Sequence, residues 1–180
     1  MKTGLKIRCL LLAVAVLVAW GLKRHYADAR ADDLRWILSP TARLVGATTG
    51  ATFVMQPGEG YFSRERLFLI EKSCAGVNFM IAAFAMLVVA LAHRARSGVS
   101  AVHVLGVSLL GSYAAAVAVN TMRITIAMWL GARPAALSGL SAADAHRIEG
   151  ITVYFVGLVL LYELVQRLDR RVTRRQEVIS

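Results

Sequence analysis

The chain has 180 residues, of which 57% are hydrophobic and 18% charged, with a formal charge of +10 and a mean hydropathy of +0.58. Soluble globular domains are ordinarily about 45–50% apolar and about 25% charged, so this composition points away from them. Two cysteines exclude a disulfide-stapled scaffold and a Cys-rich metal site, and three prolines with 14 glycines exclude a fibrous or low-complexity chain.

Four apolar runs follow in chain order, Leu10–Leu22, Val77–Ala92, Val99–Val119 and Ile151–Val165, the first three free of charge and the fourth with Glu163 near its end. The third has 21 residues, which at about 1.5 Å each covers roughly 30 Å, a full hydrocarbon core. The other three are 13, 16 and 15 residues long and borrow flanking residues or a surrounding bundle to cross. The fold class expected is therefore all-α, a polytopic membrane helical bundle of about four transmembrane helices forming a single domain over 1–180. Ala27-Asp28-Ala29 has the small-x-small form of a leader cleavage site, but Lys23, Arg24 and His25 intervene between it and the apolar run, so the first run reads as a retained span.

Between the first two spans, Leu34–Met55 is apolar yet carries Arg35, Pro40 and Arg43, which suits an interfacial or half-inserted segment better than a fifth crossing. Gln56–Gly60 reads as a turn. Tyr61–Ile70 is left open between a short strand and a helix entry. Four spans put both termini on one side, and the basic tail Arg167–Arg175 assigns that side to the cytoplasm. Segments 1–8, 93–98 and 166–180 hold ten Lys and Arg in 29 residues, against eleven in 79 for the opposite loops. The basic charge thus marks the ends of apolar runs rather than one folded face, so the partner expected is the bilayer and not nucleic acid.

Polar groups at membrane depth are costly, so chemistry is sought there. Cys74 precedes the second span, Arg123 follows the third, and His146 precedes the fourth. The topology brings these three span ends to the same face. A cysteine beside a span is often a small buried hydrophobe, an arginine there an interfacial anchor, and a histidine a loop residue. Arg123 is set apart by the apolar run Ile124–Leu130 beyond it. Together the three side chains divide the work of acyl transfer: thiolate nucleophile, imidazole proton carrier and guanidinium oxyanion holder. Asn120 lies one turn before Arg123 and is a candidate for orienting it or the acyl oxygen, and Glu149 for bonding His146. Cys9 sits at the far end of the first span, a bilayer thickness from Cys74, which excludes a disulfide between them. His103 reads as a satisfied histidine inside the bundle and His93 as an inner-face anchor. No ligand spacing implies a metal or another cofactor.

Cys74-Ala75-Gly76, then Asn120-x-x-Arg123-Ile124, then His146 ahead of Gly150 and a last span, resemble the exosortase/archaeosortase family, with Glu71–Phe79 most similar to the exosortase K group. The likeness spans residues 70–165. It implies a membrane cysteine peptidase or transpeptidase at the outer face of the bacterial inner membrane, with its active site facing the periplasm. Its substrates would be proteins ending in a sorting signal: a short motif, one transmembrane helix and a basic tail. By position it implies Cys74 as nucleophile, Arg123 as transition-state stabiliser and His146 as general acid/base. Ala75 stands where many relatives carry Ser, and the chain is shorter than many. Two other classes fit the composition: a non-enzymatic subunit packing against partner helices, with Arg123 paired to a partner acid, and a small transporter. The second is weakened by the absence of an inverted repeat.

Overall fold

The computed structural model describes residues 2–131 and 142–179, with side chains described over 4–129 and 147–171. Five helices carry the architecture: α1 (Lys2–Asp28), α2 (Arg35–Thr49), α3 (Val77–Leu91), α4 (Gly98–Gly131) and α5 (Ala142–Ile179). Among the described residues, four segments are long and apolar enough to cross a membrane: Gly4–Asp28, Lys72–Arg94, Gly98–Trp129 and Arg147–Arg171. The chain is a membrane protein built as a helical bundle. The third span was expected to end at Val119, but α4 runs on without a break, so Arg123 lies inside a helix and not beyond one. At about 1.5 Å per residue its 34 residues reach roughly 51 Å, longer than the hydrocarbon core, so one end projects from it.

In lipid the apolar surface of a helix gains little by meeting another helix, so close contact and polar links carry the association. Helices α3 and α4 form the central pair, with α1 and α5 packed on them. Ala83 and Ala116 are fully buried, and a Cβ on Gly111 would lie 3.3 Å from the Leu87 side chain, so Leu87 packs directly on the α4 backbone. Buried Thr41, Ser112 and Thr121 donate to the carbonyls of Ile37, Leu109 and Val117 within their own helices, at 2.8, 2.9 and 2.7 Å. These hydroxyls are satisfied without a partner helix.

The two ends of the bundle differ. At one end Arg94 Nε donates to Asp169 at 2.6 Å, the His93 ring lies 3.3 Å from the same carboxylate, and Arg8 donates to the His93 carbonyl at 3.1 Å. This joins α1, the segment after α3 and the far half of α5. His103, expected inside the bundle, is exposed on its outer surface.

The other end carries a cap made of α2 and a three-stranded antiparallel meander, β1 (Val54–Gln56), β2 (Gly60–Ser63) and β3 (Phe68–Ile70), in the order β1-β2-β3. The Gln56–Gly60 turn therefore joins two strands, and Tyr61–Ile70 supplies strands rather than a helix entry. Phe62 pairs with both Val54 and Leu69. Ile37, Leu38 and Val45 of α2 and Ile70 of β3 are fully buried in the core cluster that also holds Cys74, Val77 and Phe79. The cap is thus fused to the bundle.

Pro40 lies inside α2 and has no N–H to give the Trp36 carbonyl four residues earlier. The Tyr113 hydroxyl of α4 supplies it instead, at 2.8 Å, and the two rings stack with centroids 5.9 Å apart. The defect in α2 becomes its attachment point. Tyr113→Phe keeps the ring and removes the donor, which should cost about 1 kcal/mol, or roughly 2–4 °C in Tm, measured in detergent. In a Pro40→Ala background the backbone N–H returns and the same substitution should cost nothing. An equal loss in both backgrounds would remove the proline from the explanation.

Candidate functional site

Cys74 closes a short 3₁₀ turn, Lys72–Cys74, whose backbone is held by Cys74 N–H to Glu71 O at 2.9 Å and Ala75 N–H to Lys72 O at 3.0 Å. Gly76 then reverses the chain with φ of +70° and caps α3. Left-handed backbone costs an L-residue about 1–2 kcal/mol. Space is the second constraint, because a Cβ on Gly76 would lie 3.1 Å from Asn120 Cγ. The turn is pressed against α4.

Asn120 and Arg123 are three residues apart on α4, and Gly150 and Tyr154 are four apart on α5, so each pair shares a helix face. The two faces meet. Arg123 Nη1 donates to the Tyr154 hydroxyl at 3.3 Å, that hydroxyl donates to Asn120 Oδ1 at 2.9 Å, and Asn120 Nδ2 donates to the Cys74 carbonyl. The Arg123 guanidinium carbon also lies 5.3 Å from the centre of the Tyr154 ring, whose edge tilts against Phe79 at 5.3 Å. Gly150 lets Arg123 through: a Cβ there would sit 2.9 Å from its Nε. Asn120 is fully buried and Cys74 is 9% exposed. A chain of three hydrogen bonds thus links the Arg123 guanidinium to the backbone of Cys74.

On the other side the C-terminal end of α1 grips the same turn. The Tyr26 hydroxyl donates to the Lys72 carbonyl at 3.4 Å, Lys72 Nζ to the Ala27 carbonyl at 3.0 Å, and Lys23 Nζ to Asn78 Oδ1 at 2.8 Å. Both ammonium groups also approach the Tyr26 ring, at 5.3 and 5.8 Å. Lys23, which in the sequence is one of the basic residues flanking the first apolar run, is a structural tie to α3. Ser73 Oγ lies 3.8 Å from Cys74 Sγ and donates to Glu71 at 2.7 Å.

Of the three residues singled out from sequence, Cys74 and Arg123 meet at this end of the bundle through Asn120 and Tyr154. His146 lies in α5 four residues before Gly150, which places its backbone at the same end, and its side chain lies outside the described residues. Cys9 is exposed on α1, and both cysteines are free. Among the described residues no group of three His, Cys, Asp or Glu is arranged to hold a metal ion. Sequence reasoning missed Tyr154 and Tyr26. A tyrosine near a span end ordinarily reads as an interfacial belt residue, and only the spacing of Tyr154 from Gly150 hinted at a shared face.

Gly76→Ala should lower Tm by several degrees, since about 1–2 kcal/mol of backbone strain converts at roughly 2–4 °C per kcal/mol. Gly150→Ala meets a movable side chain and should leave Tm within about 2 °C while displacing Arg123. Thermal unfolding of both variants in detergent checks the contrast, and a larger loss for Gly150→Ala would contradict it.

No family model, curated protein or solved structure matches this chain.

Proposed function

We propose that this chain is a membrane-embedded cysteine peptidase or transpeptidase of the exosortase/archaeosortase kind, acting at the outer face of a bacterial inner membrane on C-terminal sorting signals. The observation that carries the reading is the tethering of the Cys74 turn to Arg123 through Tyr154 and Asn120. The backbone of the thiol-bearing residue and a guanidinium are tied to one another by two neutral side chains where three helices meet.

The Cys74 thiol loses its proton to the His146 imidazole, and the thiolate attacks the carbonyl carbon of the scissile peptide bond. The carbonyl π pair moves onto oxygen, where the Arg123 guanidinium stabilises the developing charge with donors already oriented in a poorly hydrated setting. Collapse of the tetrahedral intermediate expels the amine of the signal's transmembrane helix, which takes the proton from His146. A thioester on Cys74 remains. Water or an acceptor amine then attacks it, His146 again carrying the proton, and the thiol returns. Arginine suits the second role better than lysine, because its planar fork loses less freedom for each hydrogen bond it makes.

Cys74→Ala and Arg123→Ala should each abolish cleavage of a co-expressed protein bearing such a signal, while the variants still insert. Arg123→Lys should retain a small fraction, roughly 10²–10³-fold below the parent. Normal cleavage with Cys74→Ala ends the enzyme reading, and loss of a co-purifying complex with Arg123→Ala alone then supports a packing subunit. A membrane-impermeant thiol reagent added to spheroplasts should modify Cys74 and not Cys9. The reverse pattern inverts the topology.

The general-base role of His146 has a sign in pH. A neutral imidazole is required, so cleavage should fall in acid as the imidazole is protonated. His146→Ala should be slow and should lack that acid limb. An acid limb unchanged in the variant assigns the proton transfer elsewhere.

A further inference from the structure

We propose that Tyr154 and Asn120 are positioning residues that transmit the orientation of Arg123 to the backbone of Cys74, so that one guanidinium sets both the oxyanion site and the nucleophile. The catalytic part of this proposal rests on the peptidase reading above. Its structural part does not.

The argument is one of hydrogen-bond direction. A guanidinium donates and never accepts. The Tyr154 hydroxyl, 3.3 Å from Arg123 Nη1, must therefore accept from it. Its own proton then goes to Asn120, 2.9 Å away, and only Oδ1 can receive it. With Oδ1 taken by the phenol, the amide cannot turn over, and Nδ2 is aimed at the Cys74 carbonyl. The opposite amide orientation would set two oxygens against each other at Cys74, whose carbonyl can only accept. The polarity of all three bonds is thus fixed from the two ends, a guanidinium that only donates and a carbonyl that only accepts, and each bond polarises the next. Packing locks the parts: Phe79 lies against the Tyr154 ring, Asn120 is fully buried, and Gly76, lacking a Cβ, lets the amide lie close against the turn.

The Cys74 carbonyl is one residue from the point where the 3₁₀ turn gives way to Gly76. A donor pulling on it sets the tilt of that peptide and with it the direction of the Cys74 Cα–Cβ bond. Small errors here are costly, because a nucleophile displaced by about 1 Å can lose on the order of 10²-fold in rate.

Tyr154→Phe tests this with the ring retained against Phe79 and beneath Arg123, and only the hydroxyl lost. The expected result is a kcat lower by about 10–100-fold with KM within about twofold, since substrate binding is untouched. Asn120→Asp keeps the shape but sets an acceptor against the Cys74 carbonyl, and should give a loss of the same order. The double variant should fall no further than the worse single one, because both remove the same chain. A second readout needs no substrate: the second-order rate of Cys74 alkylation by a maleimide should rise by about fivefold or more in each variant as the turn loosens. Additive losses of kcat, or alkylation unchanged in both variants, would overturn the proposal. Should Tyr154→Phe fail to accumulate in the membrane, Asn120→Asp alone carries the alkylation test. Cleavage that survives Cys74→Ala removes the peptidase reading and leaves the alkylation result to decide the relay.

Discussion

A hydrogen-bonding group buried near lipid has no water to fall back on, and the structure around Cys74 follows from that constraint. Asn120 is fully buried on α4, and both ends of its amide are engaged, one by Tyr154 and the other by the Cys74 carbonyl. Remove any member and its neighbour keeps the desolvation cost without the bond, typically about 1–3 kcal/mol for a buried group. The polar groups are therefore interdependent, and their common location is energetically enforced. Three helices and one turn are tied by them: α4 through Asn120 and Arg123, α5 through Tyr154, and α3 through the turn that precedes it.

The same economy governs the cap. Pro40 leaves the Trp36 carbonyl without its helical donor, and Tyr113 of α4 fills the gap. Asp32 accepts from the Gly58 N–H at 2.9 Å and pairs with Arg35 at 3.2 Å, so the corner after α1 is linked to the β1–β2 turn. Arg66 donates to the Thr49 carbonyl at 3.2 Å, joining the β2–β3 connection to the end of α2. Strand β3 then leads directly into Glu71 and the Cys74 turn. A three-stranded meander of three- and four-residue strands is marginal alone. Here its Ile70 is fully buried in the bundle core, so the bundle stabilises the sheet and the sheet sets the path of the chain into Cys74.

The two ends of the bundle use charge differently. At the end away from the sheet, Arg94 and Asp169 form an ion pair with His93 beside it, a contact between formal charges. At the sheet end the described contacts of Lys23 and Lys72 are to neutral acceptors, and Arg123 reaches a phenol and its ring.

The amino-acid sequence by itself determined the number of spans, the end of the bundle to which Cys74, Arg123 and the His146 backbone belong, and the kind of chemistry these residue types offer. Hydropathy is a sum over many residues and survives ignorance of their neighbours, which is why α1, α3, α4 and α5 were legible. The role of Asn120 was half visible, since its spacing placed it with Arg123, while its partner at the Cys74 carbonyl was not. The meander was half legible, since strands of three residues are too short to show a period and Tyr61–Ile70 stayed open between strand and helix, and α4 was cut short at Val119 because the polar Asn120-Thr121 ends an apolar run without ending a helix. Only the tertiary structure decided that Tyr154, Asn120 and Tyr26 belong to the Cys74 site and that Tyr113 repairs Pro40. Those are contacts between residues from 31 to 77 positions apart. No local pattern encodes them, because the energy resides in the pairing of groups that meet only after the helices have packed.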